Sequence, residues 1–429
     1  MSWDDNDSNG EYLWSQLMES DEEDDEEDIE LTSNTVLGVI LAAGESRRSS
    51  DTFYVRDRME WNLHVASLLN EGNDSFRRMY RMEFESFTNL CAMLHPFLSV
   101  DKRMSTLRTS KSSITTEIIL HCLIRWLAGG SYLDIRVSAG ISSSAFYRCI
   151  HSAMVAILSV PELQIRLPEN AAEFSEVAKG FESISGTNGI LNGCVGVLDG
   201  YLLQTTTVSR SEVGNVKAYF SGHYQCYGVN IQGMVDSRCR FLFLGAAAPG
   251  GSNDIVAYRK CGVHEYINNL SLGQYVIGDN AYVCSEHLLT PFAGLERADL
   301  KKDAYNFYIS QLRIRVEMAF GMMSNRWLIL KRPVSVSAKA YGKLILVIGV
   351  LHNYCLNEFE RLSKGTSGSV AVAASQMFQG GDDNGSNIDG SDAFMASDVT
   401  VVNVPGNSIM RDFLVDQIAA AGLRRPGGV

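Results

Sequence analysis

Three carboxylates stand in settings that a folded chain has reason to avoid. Asp199 closes the apolar run CVGVLD (194–199), and Asp279 closes YVIGD (275–279). Glu317 sits within QLRIRVEMAFGMMSNRW (311–327). An acid at the end of a buried strand is costly unless a partner compensates it. Two such acids, with a third on a helix edge, point to a shared divalent cation, and all-oxygen donors suit Mg²⁺ or Mn²⁺. Two ions held roughly 4 Å apart can clamp the attacking and leaving oxygens of a phosphoryl transfer. Phosphodiester chemistry on nucleic acid is therefore the reaction this donor set predicts.

The helix carrying Glu317 is predicted over about 304–327. Ile309, Leu312, Val316, Ala319, Phe320, Met323 and Trp327 recur at three and four residues and form one core stripe. At about 100° per residue, Glu317 falls at the edge of that stripe and can reach towards a sheet. Arg313 lies one turn earlier, so a plain i,i+4 Arg–Glu pair is the competing reading. Asp254 in APGGSNDIVAYRKC is a fourth candidate. It either favours the dipole of a helix opening near Ser252 or joins the metal ligands. Lys301, Lys302, Arg313, Arg315, Arg326, Lys331 and Arg332 gather around the third acid. Lys and Arg supply the phosphate contacts that dominate nucleic-acid affinity, and a solvated helix face is the alternative.

Strands are predicted at 193–199, 224–236, 240–249 and 273–279, the middle pair joined by the turn Asp236-Ser237-Arg238. Helices are predicted at 285–292 and 338–362. Together they describe an α/β nuclease domain over 185–362: a ribonuclease-H-like mixed sheet with flanking helices. Before it, residues 55–160 read as all-α, with helices over 82–98, 115–130, about 133–138 and 143–158. The turn Gly140-Ile141-Ser142 between the last two gives a helix-turn-helix-like, DNA-binding pattern. Its second helix offers Arg148 and His151 as polar readers, and a small helical bundle packed on the next domain is the alternative. Residues 363–407, rich in Gly, Ser, Asn and Asp, read as a flexible linker. Residues 408–429 read as one C-terminal helix.

The net charge of −13 misleads. Residues 1–30 carry fourteen acids and no Lys or Arg, leaving 36 acids against 37 bases elsewhere. Acidity thus gives no argument against a polyanionic partner; residues 1–35 read as an acidic disordered tail. Nine cysteines without a CxxC spacing read as reduced thiols. The histidines show no metal-ligand spacing, and His223 reads as structural or near the site. No opening signal peptide and no apolar run of about 18 residues is present, so neither secretion nor membrane spanning is expected. The run LGVILAAGESRRSSD (37–51) resembles the opening of sugar nucleotidyltransferases. It lacks the following Lys and the alternating α/β pattern that reading needs.

Taken in order, GVLDGY (196–201), YFSGHYQCYGVNIQGMVD (219–236), GGSNDIVAY (250–258), VIGDNAY (276–282), RIRVEMAFGMMSNRW (313–327) and VLHNYC (350–355) resemble Harbinger-type (PIF/Harbinger) transposases. The resemblance covers roughly 55–360. It implies a DDE nuclease domain with Asp199, Asp279 and Glu317 as the catalytic triad and Asp254 as a further metal-coordinating position. Where that family usually shows His-Asp, this chain has Asn253-Asp254, which removes a proton-handling group and keeps the carboxylate. The resemblance implies a nuclear enzyme, with two Mg²⁺ or Mn²⁺, that cuts double-stranded DNA at transposon ends and joins them to a target. It also implies a Myb/SANT-like accessory protein for DNA recognition and nuclear entry. Joining two ends favours a homo-oligomer. Two competitors remain: a domesticated transposase that binds DNA or chromatin without cutting, and a nuclease that cuts without joining.

Overall fold

A computed structural model describes residues 57–72, 74–99, 112–363 and 408–426. The acidic tail, the 37–51 motif and nearly all of the 363–407 linker lie outside the described residues. The chain begins with helices α1 (Trp61–Glu71), α2 (Ser75–Tyr80), α3 (Phe84–Leu98), α4 (Thr116–Leu127), α5 (Tyr132–Ser138) and α6 (Ser143–Ser159). Ser131 and Ser142 cap α5 and α6 through their hydroxyls, and the two helices meet at 97°. α4 buries nearly its whole circumference, His121 included, which makes it the centre of the bundle. α7 (Ala171–Ser185), which sequence periodicity missed, then packs on the sheet.

The sheet is built from β1 (Cys194–Gln204), β2 (Phe220–Ser221), β3 (Cys226–Val235), β4 (Phe241–Pro249), β5 (Tyr275–Ile277) and β6 (Leu288–Leu289). A short helix, α8 (Arg210–Val213), intervenes between the first two strands, and α9 (Asp254–Lys260) and α10 (Val263–Asn268) between β4 and β5. The strand order is β2-β3-β1-β5-β6, with β4 on the same edge of β3 as β2. β1 is antiparallel to β3 and parallel to β5. The sheet is therefore mixed, as expected, with helices on both faces. The long helices α11 (Leu300–Arg326) and α12 (Tyr341–Ser363) cover one face. α13 (Ile409–Ala420) docks on α11 from the C-terminal side of the linker.

Two expectations fail. The helix predicted over 285–292 is a loop with the short strand β6. Leu288 and Leu289 pair in parallel with Val276 and Ile277 and are almost wholly buried. Completing the sheet edge outweighs a weak helical preference, and Pro291 already disfavours helix at Thr290. The first strand does not end at Asp199. It runs five residues further to Gln204, because β3 continues the ladder to the pair Gln204↔Gly228.

Candidate metal and nuclease site

Alternation along β1 decides which side each residue faces. Val197, Asp199 and Tyr201 share one face, and Leu198 and Gly200 the other. On the first, the Tyr201 ring stacks on Phe320 of α11 at 5.0 Å. Gly233, opposite Asp199 in the β1–β3 register, permits that approach: a Cβ there would stand 2.6 Å from the Phe320 ring. α11 is thus held close enough for its stripe edge to meet Asp199. Arg313 Nη1 lies 2.6 Å from Glu317 Oε1 and 3.8 Å from Asp199 Oδ2. The i,i+4 pair posed as the alternative to a metal role is present, and it also brings Glu317 to Asp199 through a shared cation.

Asp279 follows β5 by two residues, and its Oδ1 accepts from the Ala281 N–H at 2.8 Å. Burial, and then the charge of Asp279, raise the Asp199 carboxyl well above the usual carboxylate range, against the pull of Arg313. Burial, with Asp254 and Glu317 nearby, pushes Asp279 up to about 6 even though the Ala281 amide opposes it. Asp199 is thus raised by Asp279, and Asp279 by Asp254 and Glu317, so these acids are poorly compensated by protein alone.

Asp254 approaches from the opposite face. It opens α9, with Asn253 as N-cap through a side-chain bond to the Val256 N–H. Its Oδ1 accepts from Asn230 Nδ2 at 2.9 Å and from Gln232 Nε2 at 3.4 Å. Gln232 Oε1 in turn accepts from the Tyr282 hydroxyl at 2.7 Å. The carboxylate presses so closely on Gly200 that no Cβ fits there. Helix-dipole placement and neighbourhood to the other acids are therefore both true of Asp254. The sequence carried a missed signal: Asn230 and Gln232, two apart in an apolar strand, share the face that meets Asp254.

Among the described residues, no three His, Cys, Asp or Glu side chains converge as a ready metal-ligand set. The donor chemistry nonetheless fits a hard divalent cation. Asp199 and Asp279 are half-buried acids; Asp279 raises Asp199, and Asp254 and Glu317 raise Asp279. A cation between them would relieve that repulsion, and Glu317 would join once it left Arg313.

The predicted basic surface does not hold as one patch. Lys301 is exposed, and Lys302 pairs with Glu296 at 2.6 Å and lies over Phe292. Arg313 belongs to the acidic site. Arg315 is turned inward, where its charge bears on Cys239 and its Nε is buried. Arg326 donates to the Arg81 carbonyl at 2.5 Å and ties α11 to the bundle. Arg313, Arg315 and Arg326 are each half-buried and engaged by different partners rather than arrayed on one exposed face. In the bundle, Arg148 is exposed on α6 and His151 half-buried.

Comparison with known proteins now adds an independent line. A family model described as DDE superfamily endonuclease matches residues 198–353. The match begins one residue before Asp199 and encloses Asp254, Asp279 and Glu317. The chain is also similar to Protein ALP1-like of Arabidopsis thaliana, 22% identical over 301 residues, covering 66% of this chain and 71% of that protein. No solved structure matches. The resemblance to Harbinger-type DDE transposases is borne out by these findings. DDE superfamily endonucleases use divalent metals, which agrees with the donor set of this domain.

Proposed function

We propose that this chain is a DNA transposase with a ribonuclease-H-like DDE domain. It cuts double-stranded DNA at transposon ends and transfers the strands with two Mg²⁺ or Mn²⁺. The carrying observation is the acidic cluster itself: Asp199 and Glu317 share Arg313 at 3.8 and 2.6 Å, and burial and neighbouring acids raise both the Asp199 and Asp279 carboxyls. Asp199 and Asp279 are the principal metal ligands and Glu317 the third, with Asp254 bearing from the other face. Bound metal supplies charge neutralisation at the phosphate and activation of water or a 3′-hydroxyl. The protein's part is positional. β1 carries Asp199, the loop just after the neighbouring β5 carries Asp279, and α11 brings Glu317 towards Asp199 through Arg313. Arg313 keeps a cation at the junction, where it is suited to a non-bridging phosphate oxygen.

The 97° pair α5–α6 is proposed as a helix-turn-helix-like DNA contact with Arg148 at its exposed face and His151 beside it. So few polar readers favour dependence on a Myb/SANT-like accessory protein, nuclear location through that partner, and a homo-oligomer that holds two ends. Lys301 and Lys302 are the remaining candidates for backbone contacts.

A second reading has support in the Arg313–Glu317 pair and the lack of a converged ligand set among the described residues. In it the chain binds DNA or chromatin without cutting. Nicking of supercoiled plasmid by the full-length protein separates the two. The transposase reading predicts Mg²⁺- or Mn²⁺-dependent nicking that Asp199→Asn, Asp279→Asn and Glu317→Gln each abolish. DNA binding with no nicking under either metal would select the second reading.

A further inference from the structure

The β2–β3 hairpin carries exposed aromatics that the acidic site does not use. β2 pairs with β3 through Phe220↔Tyr227 and Ser221↔Cys226, leaving a four-residue tip, Gly222-His223-Tyr224-Gln225. Tyr224 is 54% exposed and Phe220 38%, and His223 is exposed as well. The His223 and Tyr224 rings meet edge to face at 4.6 Å. Such a pair costs hydration without contributing to the core, so stability does not explain it.

The tip is held in place. The Tyr224 N–H donates to Ser221 Oγ at 3.4 Å, and Gln225 adopts a left-handed φ of 53° and bonds back to the Gly222 carbonyl. Behind it, the Gly251 N–H donates to the Ala218 carbonyl at 2.9 Å and the Gly250 N–H to the Gly228 carbonyl at 2.8 Å. A Cβ on Gly251 would stand 2.7 Å from the Ala218 carbonyl oxygen and 2.8 Å from that of Phe220. The hairpin is therefore packed against the loop that leads into Asp254. Burial, and then the charges of Asp254 and Asp199, raise the Tyr224 phenol, in keeping with a hairpin packed against the loop that leads into Asp254. Lys217, exposed just before β2, adds a cation to the same edge.

We propose that His223 and Tyr224 form a stacking platform for an unpaired DNA base beside the phosphate to be cut. Every base presents a π-face, so such a platform grips single-stranded DNA without reading its sequence, and Lys217 suits the adjoining backbone. Tyr224 is here a positioning residue. The inference rests on the nuclease reading above and adds a substrate form to it: duplex DNA with a frayed or flapped base at the site.

The test uses the full-length protein with a duplex ending in a short single-stranded flap that carries 2-aminopurine. Ca²⁺ replaces Mg²⁺ so that the DNA is not consumed. The wild type is expected to bind flap DNA more tightly than blunt duplex and to quench the 2-aminopurine. Tyr224→Ala is expected to lose about 5- to 100-fold in flap affinity and most of the quenching, with blunt-duplex binding unchanged. Tyr224→Phe should keep both. Equal flap binding and quenching by Tyr224→Ala and wild type would overturn the platform. Wild-type plasmid nicking with Mg²⁺ reports separately on the nuclease reading. Nicking with a silent Tyr224 removes the platform alone, and a Tyr224-dependent flap signal without nicking removes the nuclease alone. No DNA binding by the wild type would remove both.

Discussion

The helical bundle and the sheet site both bury polar groups, but they resolve the cost in opposite ways. In the bundle, the Tyr80 hydroxyl stands between His64 Nε2 at 2.9 Å and His121 Nδ1 at 2.7 Å, boxed in by Trp61, Phe76 and Phe87. Burial drives His121 down to about 3, so the chain of groups is neutral and linked through Tyr80, with His121 Nε2 left buried and unbonded among the described residues. In the sheet, acids are set against acids, and Arg313 is shared between Asp199 and Glu317. The first arrangement serves stability. The second is unfavourable in the protein alone, the pattern expected of the proposed cation site.

The largest expected effect breaks the sheet side of this contrast. Asp199→Asn removes a donor on β1 and should lower metal-dependent nicking roughly a thousandfold or more, the scale of losing an essential catalytic group. Its fold, followed by circular dichroism, should be intact. On the bundle side, Tyr80→Phe deletes the hydroxyl that serves both histidines. Leaving buried polar atoms unpaired costs about 1–3 kcal/mol, so urea unfolding should show that loss while Mn²⁺ affinity is unchanged.

A smaller effect sharpens the comparison because its sign is unusual. Asp279→Asn removes a charge that its neighbours oppose. Without added metal the variant should melt a few degrees higher than wild type, by differential scanning calorimetry, while losing metal-dependent nicking. The smallest effect is in pH, where the two regions should oppose each other. The buried histidines His121 and His352, lowered to about 3 and about 4, give stability that is present above about 6.5 and lost as pH falls below it. Asp279, raised to about 6 from an ordinary 3.8, gives stability present below about 3.8 and lost as pH rises through 6. Between pH 4 and 6, metal-free Tyr80→Phe combined with His121→Phe should thus lose part of the rise of stability with pH, and Asp279→Asn should rise more steeply than wild type. Urea midpoints across that range would check both slopes.

Much of the site was legible because its acids sit where local pattern makes them conspicuous. Asp199 and Asp279 interrupt apolar runs, and the stripe on 304–327 put Glu317 at an edge that the structure bears out through Arg313. What escaped depends on distant pairing. Whether β1 stops at Asp199 or runs to Gln204 is decided by β3, thirty residues on. Leu288 and Leu289 become a strand only because β5 offers an edge. The inward turn of Arg315 and Arg326 depends on Cys239 and the Arg81 carbonyl, neither of which is local to α11. Gly200 and Gly233 reveal their purpose only when Asp254 and Phe320 arrive on opposite faces of the sheet.

Isothermal titration of Mn²⁺ into the full-length protein at pH 7, wild type against Asp199→Asn and Asp279→Asn, tests the central claim most directly. Binding by the wild type that both variants lose would place the cation among these carboxylates. Equal binding in all three proteins, or none in the wild type, would contradict it.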